Sequence, residues 1–313
     1  MFNSERPSAI SALSWPVRSR ERLRSGRSRI DQPPQQTHVE AHEVHIQRVN
    51  HHRREIFGVR QPLSKAADTT LGIVGILIVV VVWCVLTYGH FVRPLFLPTP
   101  TVMWESVQEL DHKHWLFPAI VHSTWRVTQA LFWVVLIGIP IGILMGAFAP
   151  ADALLRKLLS GGKSVPTTGI AGLIILWFSI GETAKIVYLF IGAIFYMVIL
   201  VRSAVMNVNE AYLKVALDLN ATRTQIITRV LLPGALPAIW DAIAVCNGIM
   251  WTYIVLAEFI NSSEDSLGLG YLLMIGSRTE EPGIVFSTLI IVAIISSASD
   301  WLMQSIRRRY INW

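Results

Sequence analysis

The chain has 313 residues, of which 52% are hydrophobic and only 15% are charged, whereas about a quarter of the residues of a soluble domain are charged. The apolar residues form several long blocks after position 70, which excludes a single globular core and indicates a protein that crosses a bilayer. The net charge of +6 does not indicate nucleic-acid binding, because the basic residues flank the apolar blocks.

Residues 1–70 are polar and basic, and they hold twelve of the 27 lysines and arginines and five of the nine histidines. This composition predicts a disordered cytoplasmic tail. The alternative is a basic arm on anionic lipid, with residues 39–57 as a short interfacial helix. We expect no cleaved signal peptide, because the apolar stretches are too short, and no metal site, because the histidine spacing is irregular.

The apolar blocks predict an all-α membrane protein of about six transmembrane helices, in a domain that covers residues 71–313. The predicted spans are residues 71–88, 120–148, 165–180, 184–201, 235–260 and 283–303. The third and fourth could be tilted or partly re-entrant. Cys84 and Cys246 lie inside apolar blocks, which predicts buried, unpaired thiols.

The links between the spans carry further signals. Pro98 and Pro100 predict an extended entry into a surface helix near residues 102–110. Glycines in the second span, Gly138, Gly142 and Gly146, allow helix backbones to approach closely. Residues 152–164 are predicted to form a basic loop, and residues 202–229 interrupt the apolar pattern for about 28 residues.

The distribution of basic residues predicts the orientation. With six spans, the side that holds both termini has ten lysines and arginines outside the tail and the other side has five, so both termini are expected in the cytoplasm. The ten are Arg156, Lys157, Lys163, Arg202, Lys214, Arg223, Arg229, Arg307, Arg308 and Arg309, and the five are Arg93, Lys113, Arg126, Lys185 and Arg278.

The polar segment after the fourth span predicts a helix–turn–helix. Asn209 or Asn207 is placed to cap a short amphipathic helix, with Glu210 in its first turn. Asn220 follows, the residue type best able after glycine to adopt the left-handed conformation that ends a helix. A second short helix over residues 222–232 then leads to Pro233 and the next span.

This segment resembles the EAA loop of ABC-importer permeases, whose form is Glu-Ala-Ala, three residues, Gly, nine residues, Ile, one residue, Leu-Pro. The spacing is kept, with Ala216 at the second alanine, Asn220 at the glycine and Val230 at the isoleucine. Lys214 replaces the glutamate and Val215 the first alanine, and Leu232-Pro233 closes the pattern.

Further stretches resemble the nitrate/sulfonate/taurine-type branch of these permeases and extend the resemblance over residues 70–313. They are Leu97-Pro98-Thr99-Pro100, His122-Ser123-Thr124-Trp125-Arg126, Gly138-Ile139-Pro140-Ile141-Gly142 through Gly146, Trp177-Phe178-Ser179-Ile180-Gly181, Ala257-Glu258, Gly268-Leu269-Gly270 and Trp313.

The resemblance implies a type I ABC-importer permease in the bacterial inner membrane. Its partners would be a second permease copy, two ATP-binding subunits and a periplasmic substrate-binding protein, besides membrane lipid. ATP and Mg would be bound by the partner subunit, with no cofactor on this chain. The residues implied to couple to the ATPase in the loop 202–233 are Glu210, Ala211, Lys214, Val215, Ala216, Leu219, Asn220, Ala221, Thr222, Leu232 and Pro233.

Five residues are candidates for the translocation pathway. Glu182 and Glu258 lie near span ends, either solvated at the outer surface or lining the outer mouth. Trp251, Thr252 and Tyr253 on the fifth span either line the pore or serve as packing and interfacial anchors.

No enzyme activity is expected. Gly161-Gly162-Lys163-Ser164 ends like a phosphate-binding loop, but the glycine required five residues before Gly162 is Lys157. No catalytic constellation is present in the sequence. A stand-alone secondary transporter remains an alternative, although the two similar halves typical of that class are missing, and so does a membrane-embedded enzyme or scaffold. The sequence does not identify the substrate. We expect a small, preferably anionic solute such as nitrate, sulfonate, taurine, bicarbonate or a pyrimidine precursor.

Overall fold

The computed structural model describes residues 64–260 and 267–311, and within these ranges all secondary structure is helical. The predicted fold class is confirmed. The predicted tail up to residue 63, with its histidines, and the terminal Trp313 lie outside the described residues. The helices are α1 (Lys65–Tyr88), α2 (Pro100–His112), α3 (Leu116–Ala147), α4 (Ala149–Lys163), α5 (Thr167–Phe178), α6 (Glu182–Met206), α7 (Glu210–Asp218), α8 (Arg223–Ile226), α9 (Leu232–Ile260), α10 (Leu269–Arg278) and α11 (Pro282–Tyr310).

Helix α1 is apolar around its circumference, and the side chains of Ile76 and Val79 are about two-thirds exposed, at 67% and 68%. A helix of this kind belongs in lipid or against another membrane helix. The indole of Trp83, inside α1, donates to the Pro98 carbonyl oxygen in the segment after the helix, at 3.1 Å. The Thr99 hydroxyl accepts from the Val102 amide and begins α2 at Pro100, so the predicted surface helix is confirmed and is slightly longer.

Helices α3 and α6 run parallel and form the tightest pair. Gly138, Gly142 and Gly146 face Met197, Val201 and Val205, respectively. A Cβ atom on any of these glycines would lie 2.6 Å from the opposing side chain, well inside van der Waals contact. The close approach predicted from the small residues is therefore confirmed.

Because α3 and α6 are parallel, the chain must return across the membrane between them. It does so in two pieces that run antiparallel to α6. Arg202 contacts Asp152 in α4, and the Phe195 ring would touch a Cβ atom on Gly162. The 15 residues of α4 and the 12 of α5 give about 40 Å of helix, enough for a hydrocarbon core of about 30 Å.

The prediction of a basic loop over residues 152–164 is therefore wrong, since this stretch is the first part of the third crossing. The predicted third span, residues 165–180, holds only the second part, a 12-residue helix. Five helices of the described ranges are long and apolar enough to cross a membrane alone, and α5 is not. The broken crossing explains why one apolar block was short.

Helices α9 and α11 pack antiparallel. The Trp240 indole donates to the Met303 carbonyl oxygen at 2.8 Å, and the Asn247 amide donates to the Ser299 hydroxyl at 2.9 Å. The second short helix predicted over residues 222–232 is not separate: α8 continues through a π-helical turn, Ile227–Leu231, into α9. Pro233 lies inside this continuous helix, two residues after the π-helical turn.

Candidate functional site

The segment after α6 has a fixed backbone conformation. The Asn209 side chain accepts from the Ala211 amide at 2.9 Å and begins α7, and Glu210 lies in the first turn. At the other end, Asn220 has φ 54°. The Asn220 amide donates to Leu217 and the Ala221 amide to Ala216, which together form a Schellman motif. The predictions for the Asn209 cap and for Asn220 are confirmed.

The turn is closed on its far side by a feature that the sequence reading missed. The Thr222 amide donates to Gln225 Oε1 at 2.8 Å, and the Gln225 amide donates to Thr222 Oγ1 at 3.4 Å. This is a capping box, and the Thr-x-x-Gln spacing that signals it is present in the sequence. Both helices around the turn therefore have defined ends, and the angle between them is set by local hydrogen bonds.

The surface of this segment is apolar. Tyr212, Val215 and Leu219 are 63%, 57% and 76% exposed. They line a groove of about 670 Å³ whose other lining residues are Ala216, Arg229, Val230, Pro233 and Gly234. Exposed apolar patches of this kind mark interaction sites. We call this surface the coupling groove.

The predicted coupling residues differ in exposure. Ala216 is buried, at 7% exposed, and forms the floor of the groove. Glu210, Ala211, Lys214 and Thr222 are exposed, Ala221 and Leu232 are half-buried, and Pro233 lines the groove. Tyr212 and Arg229 belong to the surface but were missed. An exposed tyrosine one turn before Ala216 was the available signal.

A second polar assembly, the outer ion-pair cluster, lies at the opposite ends of the helices. The Arg126 guanidinium is 1% exposed and donates to Glu182 at 2.6 and 2.7 Å and to Glu258 Oε1 at 2.7 Å. Lys185 is fully buried, and its ammonium lies 3.3 Å from Glu182. Two basic side chains and two carboxylates thus compensate each other, with Arg126, Lys185 and Glu258 buried.

Glu258 is the centre of this cluster. Its carboxylate accepts from the Ser123 hydroxyl at 2.7 and 2.9 Å and from the Gly270 amide at 2.8 Å. A Cβ atom on Gly268 would lie 2.5 Å from both Arg126 Nη1 and the Glu258 carboxylate. The motif Gly268-Leu269-Gly270 is therefore required by this close packing.

The interpretation of Glu258 as a solvated span end is wrong, because its side chain is completely buried. Glu182 is the exposed member, at 53%. Arg126 and Lys185, which were counted with the outer side of the membrane, lie inside α3 and α6, in agreement with the predicted spans 120–148 and 184–201.

The three candidates on α9 have different environments. Trp251 is buried, Thr252 is exposed, and Tyr253 is half-buried. The Tyr253 ring packs edge-on against Tyr188, with 6.3 Å between centroids, and lies over Gly192.

The other end of α6 holds a smaller ion pair. The Arg202 guanidinium donates to both carboxylate oxygens of Asp152, and Arg156 lies 2.7 Å from the same carboxylate. The pair joins the start of the broken crossing to the helix that leads into the coupling groove.

Comparison with known proteins places this geometry in context. Residues 138–312 match the family model described as binding-protein-dependent transport system inner membrane component. The chain is 28% identical over 259 residues to the taurine transport system permease protein TauC of Escherichia coli K12, covering 81% of this chain and 92% of that protein. It is 29% identical over 236 residues to the putative aliphatic sulfonates transport permease protein SsuC of Bacillus subtilis 168, covering 75% and 84%.

Two solved structures share the fold at low sequence identity. One is an amino acid ABC transporter, with a TM-score of 0.54 and 19% identity over 65% of this chain and 97% of that chain. The other is a bacterial ABC transporter involved in the import of the acidic polysaccharide alginate, with a TM-score of 0.53 and 15% identity over 79% and 98%.

Proposed function

The chain belongs to the family of binding-protein-dependent transport system inner membrane components, and from this premise we propose that two copies of it form the pathway of an ATP-driven importer for small sulfonates. It is a multi-pass permease of the taurine and sulfonate type, and its relatives are transport permeases. The observation that carries the proposal is the coupling groove, an exposed apolar surface on a segment whose two ends are fixed by hydrogen bonds.

The proposed partner at the groove is an ATP-binding subunit. Tyr212, Val215 and Leu219 supply apolar contact area, and Arg229 at the rim supplies a cation. Interfaces are enriched in aromatic residues and arginine in this way. ATP and Mg would be bound by that partner, with no cofactor on this chain. A segment held by a Schellman motif and a capping box transmits a push as a rigid body, directly into α9.

The proposed orientation has both termini on the cytoplasmic side of the inner membrane. Outside residues 1–70, ten lysines and arginines were counted on the side of the termini and five on the other side. This asymmetry supports the orientation, which brings the coupling groove to the side where ATP is available.

A second copy of the chain is the proposed partner within the membrane. Between α3 and α6 lies an open apolar cleft of about 370 Å³, lined by Trp133, Ile137, Thr183, Ile186, Val187 and Phe190. Apolar surface at this depth is covered by lipid or by another membrane helix.

A binding protein on the outer face would deliver the substrate. The sulfonate class is suggested by the names of the two relatives, for taurine and for aliphatic sulfonates.

The test places one charge inside the groove and one beside it. Val215→Asp puts a carboxylate on the groove lining, and Leu217→Asp makes a similar change on the same helix at a residue that is 58% exposed but outside the groove. We expect Val215→Asp to lower both association with the ATP-binding subunit and taurine uptake at least about tenfold, which corresponds to 1.4 kcal/mol. Leu217→Asp should retain most of both activities.

Pull-down of the ATP-binding subunit and uptake of radiolabelled taurine, measured in the same membranes, check this expectation. Equal losses in the two variants would contradict the assignment of the contact to the groove. Normal association in both would show that the ATPase docks elsewhere.

A further inference from the structure

The helix that leads from the coupling groove into the membrane has an interrupted backbone. The Leu232 amide donates to the Ile227 carbonyl oxygen, five residues back, which is the hydrogen bond of a π-helical turn. Pro233 follows at once, and Pro237 comes one turn later. Sharp bends in helices have few causes, and prolines and π-helical turns are two of them. Both causes occur together between Ile227 and Pro237.

The two prolines remove backbone hydrogen bonds from one side of this helix. In a regular α-helix each amide donates to the carbonyl oxygen four residues back, so amides at positions 233 and 237 would serve the carbonyls of Arg229 and Pro233. Proline has no amide hydrogen, and its ring crowds the carbonyl concerned. Arg229 and Pro233 both line the coupling groove, together with Val230 and Gly234. The helix backbone is therefore weakened along the groove.

The parts of the chain on either side of this stretch are fixed. Before it, a capping box defines the start of α8. After it, the Trp240 indole donates to the Met303 carbonyl oxygen at 2.8 Å, and the Asn247 amide donates to the Ser299 hydroxyl at 2.9 Å. These bonds tie α9 to the inner half of α11. Two fixed bodies thus meet at an interrupted stretch of helix, which is the arrangement of a hinge.

We propose that residues 227–237 form a hinge, and that the angle of this hinge couples the groove to the membrane-spanning part of α9. The proposal rests on the proposed function, because an ATP-binding subunit in the groove supplies the force. Since Arg229 and Pro233 line the groove, bending at the hinge changes the shape of the groove. A partner that binds one shape of the groove more tightly than the other shifts the angle of α9. Pro233 and Pro237 are then positioning residues that set how readily the helix bends.

The first test restores one backbone hydrogen bond outside the groove. Pro237 is half-buried and is not among the residues that line the groove, and Pro237→Ala supplies the amide that the Pro233 carbonyl lacks. Because alanine is favoured over proline inside a helix, the variant should unfold in detergent at the same temperature as wild type or higher. It should bind the ATP-binding subunit like wild type, whereas uptake of radiolabelled taurine by the complete importer should fall at least about fivefold.

The matched control is Pro150→Ala. Pro150 lies in the first turn of α4, where an amide has no helical acceptor, so the same substitution restores no hydrogen bond. This variant should bind the ATP-binding subunit and transport taurine like wild type. Uptake by Pro237→Ala equal to wild type would overturn the hinge. A lower unfolding temperature of Pro237→Ala would also overturn it, because the proline would then serve packing and not bending.

The second test measures the hinge angle and does not depend on the transported solute. In a Cys84→Ala, Cys246→Ala background, spin labels are attached through Leu217→Cys in α7 and Gln304→Cys at the inner end of α11, both at exposed positions. In complete importers with one labelled copy, the distance between the labels should differ between the nucleotide-free and the ATP-bound state. Pro237→Ala should reduce this difference.

The outcomes separate the hinge from the function on which it rests. An unchanged label distance in a wild-type importer that binds and hydrolyses ATP would overturn the hinge and leave the proposed function intact. A wild-type chain that binds no ATP-binding subunit would contradict the proposed function, and the hinge with it.

Discussion

The two ends of this permease differ in how far their side chains are buried and paired within one chain. At the outer ion-pair cluster, Arg126, Glu258 and Ser123 are buried and connected by hydrogen bonds of 2.7–2.9 Å. At the coupling groove, Tyr212 and Leu219 leave most of their apolar area uncovered. The first end is complete within one chain, and the second requires a partner.

The difference follows from the two kinds of interaction. Buried charges must be paired inside the chain, because an unpaired charge in an apolar environment costs several kcal/mol. The free-energy cost of an exposed apolar side chain is much smaller, so such side chains can remain uncovered until a partner binds. Stability should therefore depend mainly on the outer cluster, and assembly mainly on the groove.

The largest effect is expected for removal of the Glu258 charge. Glu258→Ala leaves the buried Arg126 with Glu182 as its remaining carboxylate and leaves the Gly270 amide without its acceptor. We expect a loss of about 3–5 kcal/mol in the free energy of unfolding, measured by thermal unfolding in detergent. Glu258→Gln, which keeps the shape, should recover part of this loss.

The matched control for Glu258 is the exposed pair of Glu109 and Lys113, with 2.6 Å between the charged atoms. Glu109→Gln should leave the unfolding temperature nearly unchanged, because exposed ion pairs are weak. If the two glutamate variants lost similar stability, the cluster would not be the stabilising element of the outer end.

An intermediate effect is expected at the turn of the coupling segment. Asn220 has positive φ, a conformation that costs a β-branched residue about 1–2 kcal/mol. Asn220→Ile should lower association with the ATP-binding subunit without lowering the yield of inserted protein, and Asn220→Gly should be tolerated. Quantitative pull-down beside an insertion assay distinguishes these outcomes. Reduced insertion of Asn220→Ile would mean that the turn is needed for folding and not only for docking.

The smallest effect is the pH dependence of the Asp152–Arg202 pair. Arg202 donates hydrogen bonds to both oxygens of the Asp152 carboxylate, so the pair stabilises the fold while Asp152 is charged, and this stabilisation is lost when acid protonates the carboxylate. Wild type should therefore be more stable than Asp152→Asn near neutral pH, and the gap should narrow in acid. A gap that stayed constant with pH would show that the charge of Asp152 has no role.

Local features of the chain were readable from sequence. The Asn209 cap, the left-handed Asn220 and the glycines of α3 depend on residues close in sequence or on side-chain size alone. The spacing of the Leu-Pro pattern located the coupling segment. Hydropathy located the apolar blocks, because helices of about 20 apolar residues are what a bilayer requires.

Only the tertiary structure decided which polar residues meet. Arg126 and Glu258 are 132 residues apart in sequence, and neither position is unusual until α3 and α9 pack together. The broken third crossing was hidden for a related reason. Lys157 and Lys163 made α4 look like a loop, and only the parallel packing of α3 and α6 requires that segment to cross the membrane. Sequence alone determines local propensity and hydropathy, whereas burial and pairing of charges depend on contacts that folding creates.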